Sequence, residues 1–256
     1  MELTLLDPLT LLYLIGFGFL ASFIDAVVGG GGLISLPALM MTGLPPVTVL
    51  GTNKAGAVMG ACASFFTFLR SGQMNLYLVK RLFPLSLIGS ALGVCVVQQI
   101  PASILRPLVV GMLILVLIYT LFKKDWGTEN KFAGLTPRLL LISAISAFAL
   151  GFYDGFFGPG TGSFLLFAFL LAGFDFLGAA ANARALNFAS NISGVILFAY
   201  FGNIDWSYAL PMGLSMIVGA HCGARTALRY GSKYVRPLFI VMTTLLIGKQ
   251  LLDLLR

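Results

Sequence analysis

The 256-residue chain is 59% hydrophobic and only 10% charged, with a mean hydropathy of +0.98. Soluble domains hold about 45–50% apolar and ~25% charged residues, so this balance excludes water as the main solvent and leaves no room for a soluble catalytic domain. The net charge of +7 is carried mainly between apolar runs, the ordinary bias of membrane proteins, and does not indicate a nucleic-acid partner.

In chain order, the first apolar run, from Leu9 to Ala21, follows Glu2 and Asp7 with no Lys or Arg. A secretory signal starts basic, so the run predicts a retained first helix. Apolar segments follow at 9–28, 33–43, 55–69, 82–97 and 107–122. After a linker at 123–138 that holds Lys123, Lys124, Lys131 and Arg138, they resume at 139–157, 163–174, 185–201, 208–224 and 237–252. A span needs roughly 20 apolar residues, so the second segment of each set is too short to cross alone. Glycine runs precede both short segments, which predicts broken or re-entrant helices there.

A shift of 130 residues brings the two halves into register. Gly30, Gly32, Gly43, Gly72, Gly89 and Gly93 fall on Gly160, Gly162, Gly173, Gly202, Gly219 and Gly223. Arg106-Pro107-Leu108 recurs as Arg236-Pro237-Leu238, Lys54 falls on Arg184 and, with one residue of slippage, Asp25 on Asp154. The chain therefore reads as two copies of one unit, 9–122 and 139–256, within a single domain spanning 1–256.

Loop charge orients the copies, because cytoplasmic loops collect Lys and Arg. In the first copy the loop with Arg70, Lys80 and Arg81 is basic and the next holds only Arg106. In the second copy 202–206 has no basic residue, and the following loop holds Arg225, Arg229, Lys233 and Arg236. Equivalent loops are thus expected on opposite sides, with both termini outside. The expected fold is an all-α polytopic membrane protein of two inverted-topology repeats, as in many secondary transporters.

An ionisable side chain at bilayer depth costs roughly 2.5–3.5 kcal/mol on insertion scales, so Asp25, Lys54, Asp154 and Arg184 require a reason. Either the two cations converge on an anion near the midplane, or each repeat closes its own ion pair, Asp25 with Lys54 and Asp154 with Arg184. Gly29-Gly30-Gly31-Gly32 and Gly158-Pro159-Gly160-Thr161-Gly162 would leave free N–H groups at helix N-termini, which attract anions. The expected substrate-binding set is Gly30, Gly31, Gly32, Asn53, Lys54, Gly160, Gly162, Ser163, Arg184 and Asn187, with Asp25 and Asp154 as coupling or ion-pair residues. Gly89 with Gly93, and Gly219 with Gly223, are small-x-x-x-small patterns that predict close helix packing. His221, whose repeat mate is Ala91, offers a proton-handling group but reads more simply as packing. A serine protease built from Ser163 and His221 would need the two within hydrogen-bond reach. Cys62, Cys95 and Cys222 show no ligand spacing, and no G-x-x-x-x-G-K-[ST] run is present, so neither metal nor cofactor is expected.

Asp25-Ala26-Val27-Val28-Gly29-Gly30-Gly31-Gly32-Leu33-Ile34-Ser35-Leu36-Pro37, Gly51-Thr52-Asn53-Lys54 and Gly151-Phe152-Tyr153-Asp154-Gly155-Phe156-Phe157-Gly158-Pro159 together resemble the sulfite exporter TauE/SafE family of bacterial permeases, over essentially the whole chain. The resemblance implies transport of small anions, among them sulfite and organosulfonates, across a bacterial cytoplasmic membrane. It carries over to Asp25, glycines 29–32, Asn53, Lys54, Asp154, Gly158, Gly160 and Gly162; Pro159 and Thr161 depart from an all-glycine run. Alternating access by a secondary transporter is the leading expectation, with a passive anion channel or a carrier of zwitterionic, amino-acid-like solutes as alternatives. The expected partners are a small anionic solute, membrane lipid and a second copy in a homodimer.

Overall fold

The computed structural model describes residues 7–105 and 136–230, with 107, 108, 110, 111, 114, 115, 132 and 134 between them. Most of the 107–122 segment, all of 237–252, and Lys123, Lys124, Lys131, Lys233 and Arg236 lie outside the described residues.

Eight helices are described from end to end, and no strand occurs among the described residues. They are α1 (Pro8–Val28), α2 (Gly32–Met40), α3 (Pro46–Arg70), α4 (Leu76–Val97), α5 (Pro137–Phe156), α6 (Thr161–Leu171), α7 (Phe176–Tyr200) and α8 (Trp206–Tyr230). Their starts are written in the sequence. Asp7 and Thr136 each precede a proline at the first helical position and accept from Thr10 N and Leu139 N at 3.2 Å. A short polar side chain there satisfies an orphan N–H, and proline costs nothing where no N–H partner exists.

Three helices, α1, α4 and α5, are long and apolar enough to cross a membrane. The short helices are as brief as expected: α2 has nine residues and α6 eleven, about 14 and 17 Å at 1.5 Å per residue. The outer surface is apolar, with Leu9, Leu12, Leu141, Ile145, Leu171, Ile196 and Leu214 exposed, while Asn182, Arg184, Ser190 and Asn191 are buried. Polar inside and apolar outside is what a bilayer demands of a protein.

Two expectations require correction. The segments 55–69 and 185–201 begin too late, because α3 and α7 each start nine residues earlier. The polar motifs around Lys54 and Arg184 lower local hydropathy but remain helical. Likewise Lys80 and Arg81 sit in α4, and Arg225 and Arg229 in α8, so these charges mark helix ends rather than loops.

The helices form two lobes. One holds α1, α2, α3 and α8, and the other holds α4, α5, α6 and α7. Each lobe therefore contains three consecutive helices of one half and the fourth helix of the other. Glycines allow this exchange. A Cβ at Gly89 or Gly93 of α4 would strike the carbonyl oxygens of Phe148 or Phe152 in α5, and one at Gly219 or Gly223 of α8 those of Phe19 or Phe23 in α1. The expected close packing is present, and it joins the halves. Polar pins repeat the pattern: Asn75 N donates to Asn182 Oδ1 at 2.9 Å, and Asp205 N to Thr52 Oγ1 at 3.0 Å. Between the lobes the main contact is α3 against α7.

Candidate functional site

α1 ends at Val28 and α5 at Phe156, each before a glycine-rich break. Gly29 and Gly160 hold φ near +81° and +82°, a left-handed region that only glycine enters without strain. The two breaks touch. A Cβ at Gly29 would strike the backbone of Gly162 and Ser163, and Ser163 Oγ donates to Val28 O at 3.0 Å. The N-termini of α2 and α6 therefore meet in the interior, with Leu33 N, Ile34 N and Thr161 N already bonded within the breaks to Gly30 O, Gly31 O and Gly158 O.

The four intramembrane charges gather around this junction, but not as repeat-internal pairs. Lys54 of α3 bonds Asp154 of α5 at 2.7 Å, and Arg184 of α7 bonds Asp25 of α1 at 2.7 Å. Both pairs cross from one lobe to the other, so the alternative in which each repeat closes its own pair, Asp25 with Lys54 and Asp154 with Arg184, is overturned. The reason is geometric: Lys54 and Arg184 are each the ninth residue of their helix, and α3 packs on α7, so each cation faces the opposite half.

The two pairs differ in exposure. Lys54 and Asp154 are 4% and 3% exposed, whereas Arg184 is 1% exposed and Asp25 25%. Asp25 also accepts from Gly31 N at 3.0 Å, fixing the first break against the α1 carboxylate. Arg184 Nε and Nη2 have no hydrogen-bond partner, nor does Asn53 Oδ1. Buried polar groups are normally satisfied, so these orphans mark a place built for something else.

A cavity of about 40 Å³ lies among these groups, room for about three water molecules at 10–15 Å³ each. Of the residues expected at the site, Asp25, Gly31, Gly32, Asn53, Lys54, Asp154, Gly160, Gly162 and Asn187 line it. Gly30, Ser163 and Arg184 do not. Arg184 stands behind the lining, since a Cβ at Gly162 would lie 2.8 Å from its Nη2. Sequence reasoning missed Asn191 and Ser35, which also line the cavity. Asn191 could have been found, because it stands one helical turn beyond Asn187. His221 Nδ1 lies 3.2 Å from Thr67 Oγ1, while Ser163 is bonded to Val28; these two residues form no catalytic hydrogen bond.

The sulfite exporter TauE/SafE family profile matches residues 14–249. The chain belongs to that family. It is a membrane transporter, and its relatives carry matching names. A "Probable membrane transporter protein" of Haemophilus influenzae is 40% identical over 249 residues, covering 97% of this chain and 96% of the relative. "Probable membrane transporter protein ORF9" of a Sinorhizobium species is 36% identical, covering 95% and 93%. "Probable membrane transporter protein YfcA" of Escherichia coli K12 is 35% identical, covering 98% and 93%. No solved structure matches the chain.

Proposed function

We propose that this protein is a multi-pass secondary transporter of the bacterial cytoplasmic membrane that moves small anions, sulfite or organosulfonates, by alternating access. The observation that carries this reading is the cavity between the lobes, where Lys54, Asn53 and the N-termini of α2 and α6 converge. Cations, amides and helix N-termini are the groups that replace an anion's hydration shell. The lobe arrangement supports two inverted repeats, 9–122 and 139–256, joined by the 123–138 linker, with α2 and α6 as half-helices of re-entrant segments. In that architecture substrate lies at the repeat interface, among broken helices, and one part rocks against another. A cavity of about 40 Å³ supports a gated carrier over an open channel.

A zwitterionic solute is the second reading, favoured by the acceptors in the same cavity: Asp25, Asp154 and the unpartnered Asn53 Oδ1. The test is flux of sulfite and sulfoacetate into liposomes holding the full-length protein, with and without a pH gradient. Wild type accumulates anion and shows counterflow. Asn53→Ala and Lys54→Ala lower the rate about ten- to a hundredfold, the worth of one hydrogen bond to a charged group. Anion flux at the rate of empty vesicles sinks the anion reading, and uptake of an aminosulfonate in its place establishes the zwitterion.

A further inference from the structure

The cavity has two unlike walls. On α7, Asn187 and Asn191 stand one turn apart and both line it. The 130-residue shift relates them to Ala57 and Ala61 of α3, which line it as well. At these equivalent positions α7 supplies two carboxamides, whereas α3, one turn beyond its own Asn53, supplies methyl groups. Met216 of α8 and Ala21 of α1 add further apolar surface.

The polar wall is not committed to holding the fold. Asn191 Nδ2 donates to Asn187 O at 2.6 Å, which fixes its orientation, but the Asn187 carboxamide makes no hydrogen bond among the described residues. At 7% exposed it lies against the cavity, with its Nδ2 hydrogens free to donate to an oxyanion. On the opposite side an inorganic oxyanion, which presents acceptors in every direction, would find methyl groups.

We propose that the cavity selects a single-ended organic anion: an oxyanion head at Asn187, Asn191 and Lys54, and a short apolar stub against Ala57, Ala61 and Met216. This rests on the anion-transport reading and narrows its substrate class. The alanines set specificity through what they lack. The volume, room for about three waters, is no more than the head itself fills, so the stub is kept short and its entry needs the lobes to part.

The experiment is competition between methanesulfonate and sulfite for counterflow in liposomes holding the full-length protein. In mildly acidic buffer, where sulfite is mainly the bisulfite monoanion, the two probes carry the same charge and differ by a methyl group in place of a proton, and burying a methyl is worth about fourfold. Wild type prefers methanesulfonate. Ala57→Ser lowers the methanesulfonate-to-sulfite ratio about two- to fourfold, and Ala61→Ser does the same if the first variant folds poorly. Asn187→Ala raises the ratio, because it weakens the head contact that the less apolar anion depends on more. A ratio measured within one set of vesicles does not depend on how much protein is folded. Wild type that moves both anions equally, or ratios unmoved by these substitutions, overturns the two-walled site while leaving anion transport standing. Transport of neither anion overturns the two-walled site, and it overturns the anion reading as well if sulfoacetate also fails to move.

Discussion

The two crossed ion pairs hold the same lobes together but stand in different solvent. Lys54–Asp154 is sealed on both sides, whereas Arg184–Asp25 has its carboxylate a quarter exposed. The cations also differ in kind. A stranded lysine can lose its proton, and an arginine cannot. The halves that the repeat makes alike are therefore unequal where the lobes meet.

The largest expected effects come from breaking this comparison at its carboxylates. Asp25→Ala strands Arg184, which is 1% exposed and already has Nε and Nη2 unpartnered. Removing one partner of a buried pair costs about 3–5 kcal/mol. Asp154→Ala strands Lys54, whose ammonium leaves fewer donors unpaired than a guanidinium does, so its cost falls at the low end of that range. Thermal unfolding in detergent checks both. The comparison fails if Asp25→Ala melts as wild type does, or if Asp154→Ala is clearly the worse of the two.

Much of this arrangement was legible in the sequence, because the 130-residue shift acts on residues that the fold cannot do without. The glycines at 89, 93, 219 and 223 recur because two backbones pass too closely for a Cβ. The charges recur because each closes a pair. What was not legible is the partner. Asp25 and Lys54 lie 29 residues apart in sequence and invite pairing, yet α3 packs on α7, so each cation faces the opposite half. No local pattern encodes that packing. The starts of α3 and α7 were missed for a related reason: hydropathy falls where polar residues face a polar interior, and a window average reads that fall as a helix end. The two-walled cavity became visible only when Asn187 and Asn191 were seen to share a space with their own repeat mates.

A second comparison, of the interfaces α4–α5 and α1–α8, yields smaller effects. Gly93→Ala and Gly223→Ala each press a Cβ onto a carbonyl oxygen, of Phe152 and Phe23, and overpacking costs typically 1–3 kcal/mol. Because the contacts are equivalent, the two variants should lose stability to a similar degree. Unequal losses in the melting temperature would mean that one interface yields and the other does not, and would identify the softer side of the junction.

The smallest expected effect concerns His221, where the second half differs from Ala91 of the first. His221→Ala makes the halves alike at this position. Its one hydrogen bond, to Thr67 Oγ1 at 3.2 Å across α3 and α8, is partly exposed, so its loss costs about 0.5–1.5 kcal/mol. His221 is not among the residues lining the cavity, and no carboxylate is paired with it among the described residues. Anion flux by His221→Ala should stay within about twofold of wild type, the change expected of a substitution worth under 0.5 kcal/mol at the transport step. Its dependence on pH should keep the same midpoint. A shifted midpoint would place proton handling at the α3–α8 contact, and the inequality of the halves would then lie in the helices around the cavity rather than in the pairs that close it.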